Sequence, residues 1–70
     1  MVDGSLVDRV VEVFSRRVKN PEVFEKIKNA GKLVQDKEDF FHYVMGLAWN
    51  YRIPLTPRDV GDIMRILGLL

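Results

Sequence analysis

His42 is the only histidine in the chain, and there is no cysteine. A protein-held metal needs three or four converging ligands, so His42 reads as a polar surface residue. The missing thiols also exclude disulfides and a cysteine nucleophile. Ser5 and Ser15 stand in no motif that supplies a base. The carboxylates gather at helix starts, where capping and the helix dipole account for them. The five glycines are scattered and form no phosphate-cradling loop. The expectation is a non-enzymatic protein with no cofactor. The residue best suited to act by contact is Trp49, because tryptophan is over-represented where interfaces concentrate their binding energy. In a small bundle tryptophan is more often core, so both roles stand open for it.

The charge balance narrows the partners. Eleven Lys and Arg face ten Asp and Glu, for a net charge of +1. Binding to nucleic acid or to an anionic membrane needs a concentrated cationic excess, so neither is expected. A helix-turn-helix is the alternative worth testing, since two helices near the C-terminus are joined by a short connector. Its second helix offers Arg58 and Arg65 but also Asp59 and Asp62, and those acids repel phosphate. No basic leader segment opens the chain, and no stretch approaches the ~20 apolar residues of a membrane span. The chain reads as cytoplasmic.

Seventy residues, nearly half of them apolar, allow one globular domain. Four start signals divide it into helices near 6–18, 21–30, 37–51 and 57–67, with no sheet. Ser5 with Asp8 makes a partial capping box, and Val7, Val10, Val11, Phe14 and Val18 follow at helical spacing. Asn20-Pro21 opens the second helix, Val23, Phe24, Ile27 and Ala30 form its face, and Gly31 suits its end. Asp36 caps the third, with Glu38 and Asp39 in its first turn. Thr56-Pro57-Arg58-Asp59 opens the fourth, whose Val60, Ile63, Met64 and Leu67 face inward before Gly68 ends it. Phe14, Phe24, Phe40, Val44, Leu47, Ile63 and Leu67 are expected among the most buried residues. Connectors of a few residues imply that consecutive helices are neighbours.

The third helix is unusual in carrying two apolar stripes. Phe40, Val44, Leu47, Ala48 and Tyr51 form one, and Phe41, Met45 and Trp49 form a second beside it. Only His42, Gly46 and Asn50 make a clearly non-apolar wedge. A helix with that much apolar circumference is central or partly exposed for a partner. The candidate protein-binding surface is therefore Phe41, Met45 and Trp49 with the C-terminal Leu69 and Leu70. Its occupant would be a partner protein or a second copy of the chain, docking as a helix in a groove.

One further pattern spans Phe14 to Val60: Phe14, Val18, Asn20-Pro21, Phe24, Lys26-Ile27, Ala30, Asp39-Phe40-Phe41, Leu47-Ala48, and Ile53-Pro54-Leu55-Thr56 with Asp59-Val60. In order and spacing this stretch resembles the Nif-eleven-type leader-peptide family, small helical leader domains of ribosomally made, later modified peptides. The resemblance implies a helical domain gripped by a modifying enzyme or a transporter, with the chemistry falling on a core peptide behind it. Two departures matter. Arg52 stands where the family usually has glycine, at a cost on the order of 1 kcal/mol if the backbone there is left-handed. No double-glycine cleavage site or Ser/Thr/Cys-rich core follows in this sequence. The resemblance thus implies a leader domain without its core, or a relative reused as a stand-alone adaptor. The alternative is a self-associating helical interaction domain.

Overall fold

The structure, a computed structural model, consists of four α-helices and no strand: α1 (Gly4–Ser15), α2 (Pro21–Leu33), α3 (Lys37–Asn50) and α4 (Pro57–Ile66). Three starts are capped as their sequences dictate. Asn20 Oδ1 accepts from the Glu22 and Val23 N–H groups, and Asp36 Oδ1 accepts from Glu38 and Asp39. Thr56 and Asp59 form a full capping box, each side chain accepting from the other's backbone N–H. The first helix departs from expectation. It starts two residues early, because Asp3 rather than Ser5 is the cap. The Asp3 carboxylate accepts from both the N–H and the hydroxyl of Ser5. A carboxylate accepting two hydrogen bonds in the first turn outcompetes a hydroxyl that can itself donate.

α1 also ends early, at Ser15, whose hydroxyl donates back to the Glu12 carbonyl (2.7 Å). Val18 lies outside the helix and is half-buried. α2 runs three residues past its expected end, because Gly31 is an interior residue and not a stop. Its role is steric. A Cβ built on Gly31 would stand 2.5 Å from Val7 Cγ2, so α1 and α2 meet here at a distance only glycine permits. The Val2 N–H donates to the Gly31 carbonyl (2.8 Å) and fastens the N-terminal segment to the same spot.

The helices pack in the spatial order α3, α2, α1, α4, since α2 lies against α1 and α3, and α4 lies against α1. α3 and α4 form no comparable contact although they follow one another in the chain. The short-connector expectation thus holds for the first two connections and fails for the third. The core is one apolar cluster. Phe14, Phe40, Val44, Leu47, Ile63 and Leu67 are all buried in it as expected, together with Val10, Val13, Val23 and Ile27. Phe24 is the exception, packing half-buried against the cluster's edge. No helix is long and apolar enough to cross a membrane.

Candidate functional site

The gap left between α3 and α4 is a groove of about 570 Å³. Met45, Ala48 and Trp49 line it from α3, Ile53 and Leu55 from the connector, and Val60 from α4, with Asn50 and Arg52 at its polar edge. The connector is shaped by two local rules. Pro54 forces the chain away from helix, and the Leu55 N–H closes a three-residue turn onto the Ile53 carbonyl (2.9 Å). Val60 was expected to face the core; it is half-buried and lines the groove because α4 packs on α1 rather than on α3.

α3 ends in a Schellman motif. The Arg52 N–H donates to the Trp49 carbonyl and the Ile53 N–H to that of Ala48, at 3.2 and 2.8 Å. Arg52 occupies the left-handed position with φ +53°, the only non-glycine residue of the chain with positive φ. The backbone that would favour glycine is therefore present, and arginine holds it at a cost of about 1 kcal/mol. Ile53, buried, supplies the apolar contact that accompanies such a turn.

The five residues singled out from the sequence separate in the structure. Met45 and Trp49 come together in the groove wall; Phe41, Leu69 and Leu70 do not line it. Trp49 is 84% exposed. Phe41, Met45 and Leu69 are half-buried against the core cluster, and Leu70 is exposed at the chain end. Phe41 turns its ring edge-on to the neighbouring His42, and His42 itself is exposed 3.9 Å from Glu38. The site residues read from the sequence left out Ala48, Asn50, Arg52, Ile53, Leu55 and Val60. The one available signal was Arg52, an arginine where the pattern of related turns asks for glycine.

A second polar cluster lies at the seam of α1 and α4. Arg17 Nε donates to Asp59 Oδ2 at 2.6 Å, with a second contact from Nη2 to Oδ1 at 3.3 Å. Arg16 Nη1 lies 3.0 Å from Asp62 Oδ2 and 3.6 Å from Asp59 Oδ1. Arg65 closes the set on Asp62 at 2.8 Å. Asp59 is buried, yet the Arg17 guanidinium and then the Thr56 N–H hold its carboxyl well below the usual carboxylate range. Asp62 is lowered by Arg65 and Arg16, and Arg17 is raised by its hydrogen bond to Asp59. Every charge in this cluster has an opposite charge within reach, three guanidiniums sharing two carboxylates, and no buried side-chain polar atom of the protein lacks a partner. The seam explains itself as structure. No group of three or more metal-ligating side chains is assembled on the chain. Comparison of the chain with protein-family models, curated proteins and solved structures finds no match.

Proposed function

We propose that this chain is a non-catalytic protein-recognition domain, and that its partner docks on the groove walled by Met45 and Trp49. The observation that carries the reading is Trp49. A tryptophan buries 150–250 Å² when it is covered, and here it stands almost fully in solvent at the rim of an apolar cleft. Exposed apolar surface of this kind on a small domain marks contact sites. The resemblance to Nif-eleven-type leaders gives the reading its concrete form, a leader-like domain held by a peptide-modifying enzyme or a transporter.

The test is site-specific crosslinking in the cell of origin. A photoreactive residue replaces Asn50, beside Trp49 in the groove wall, and in a control it replaces the exposed Lys28 of α2. The expected result is one adduct from position 50 that disappears when Trp49→Ala is added and that position 28 does not yield. An adduct with the mass of two chains assigns the groove to self-association. Equal labelling from both positions, indifferent to Trp49→Ala, overturns the reading.

A further inference from the structure

We infer that the groove selects a partner segment in which apolar side chains adjoin a carboxylate, with Arg52 as the group that reads the acid. This deepens the recognition reading above and rests on it. Six of the eight lining residues are hydrophobic, Asn50 is neutral, and Arg52 is the only charged residue in the wall. No carboxylate of the chain lines the groove, and Arg52 makes no ion pair or side-chain hydrogen bond within it. That separates it from Arg16, Arg17 and Arg65, each of which is bound to Asp59 or Asp62; Arg9 and Arg58 are unpaired too, but neither lines the groove or takes a left-handed backbone.

Two features thus coincide at Arg52 and at no other residue of the chain. The backbone position disfavours any side chain, and the side chain placed there has nothing of its own chain to bind. Residues kept in sparsely populated backbone regions gather at ligand clamps. A guanidinium presents a planar fork that matches a carboxylate bidentately. Next to an apolar wall, that fork selects an acid flanked by hydrophobic side chains. The cleft volume lies in the ~300–1,000 Å³ range of small-ligand sites, room for a few side chains of one segment rather than a broad domain face.

The experiment pans a phage-displayed library of random short peptides on the wild-type protein and titrates the enriched peptides by tryptophan fluorescence. Trp49 is the only tryptophan, so its emission reports the groove. Enriched peptides should pair Asp or Glu with apolar residues. Arg52→Gly should weaken them at least about tenfold, the loss of one charge-assisted hydrogen bond, as should Asn or Gln in place of the peptide's acid. Glycine suits the backbone at position 52, so the variant stays folded, and a circular dichroism melt verifies this. Arg52→Glu should redirect selection toward Lys and Arg.

Peptides that depend on Trp49 but carry no acid, and bind Arg52→Gly unchanged, overturn this inference while leaving the recognition reading standing. Enrichment of no peptide that depends on Trp49 overturns both. A concentration-dependent dimer abolished by Trp49→Ala and indifferent to Arg52→Gly gives the groove to a second copy, and also overturns the acidic segment.

Discussion

At the α1–α4 seam each guanidinium has a carboxylate at hand; at the end of α3, Arg52 has none. The backbone sharpens the contrast. α4 ends on the same Schellman hydrogen bonds as α3, from Gly68 to Arg65 and from Leu69 to Met64, at 3.1 and 2.8 Å. Its left-handed residue is Gly68, with φ +72°. One helix end follows the local rule, and the other breaks it beside an open cleft. The seam shows that this chain can satisfy its arginines when stability is the task. Arg9 and Arg58 are unpaired as well, but only Arg52 combines that with a left-handed backbone and a place in the groove wall.

The largest expected effect is at the seam. Asp59→Ala removes a buried carboxylate, the reciprocal cap of α4 and the partner of Arg17, and should destabilise the fold by about 2–4 kcal/mol in denaturant melts. Its pH dependence follows in sign. The folded-state pKa of Asp59 is depressed, so its contribution is fully present above the unfolded value of ~3.9 and fades as pH falls through the folded one. The stability gap between wild type and Asp59→Ala should be flat between pH ~5 and ~8 and narrow below pH ~4.

The two helix ends should respond oppositely. Gly68→Ala places a Cβ in a left-handed position and should cost about 1 kcal/mol. Arg52→Gly removes such a strain and should gain ~0.5–1 kcal/mol, read as a higher midpoint in the same melts. Equal loss at both positions would mean that the Arg52 side chain stabilises the monomer, and would erase the comparison. The smallest effect belongs to Trp49→Ala, which should leave stability within about 0.5 kcal/mol, as for other exposed positions. A loss of several kcal/mol would make Trp49 a core residue.

Much of the fold was written locally. Asn20, Asp36 and the Thr56–Asp59 box each announce a helix within four residues, and the faces through Phe14, Phe40, Val44 and Ile63 follow from 3.6-residue spacing. What local reading lost was long-range. Gly31 looks like a helix stop because glycine often is one; its use here depends on Val7, a residue of another helix. Arg17 and Asp59 are 42 positions apart, and no periodicity couples them. Of the site, Met45 and Trp49 were legible from the overfull circumference of α3. Leu55, Val60 and Asn50 were not, because the groove exists only through α4 packing on α1 and leaving one face of α3 uncovered. Leu69 and Leu70 shared the apolar character of the site but not its location.

The seat of Val7 on Gly31 also sets a length. Gly31 is the only glycine of α2, so α1 can bed at full depth in only one axial position along it. A slip of one residue moves a helix by about 1.5 Å. A short rigid helix transmits that error undiminished to its last residue, Ser15, two residues beyond which Arg17 must meet Asp59 at 2.6 Å. A missing side chain opposite the first turn of α1 thus acts as the gauge that brings the ion pair beyond its last turn into range.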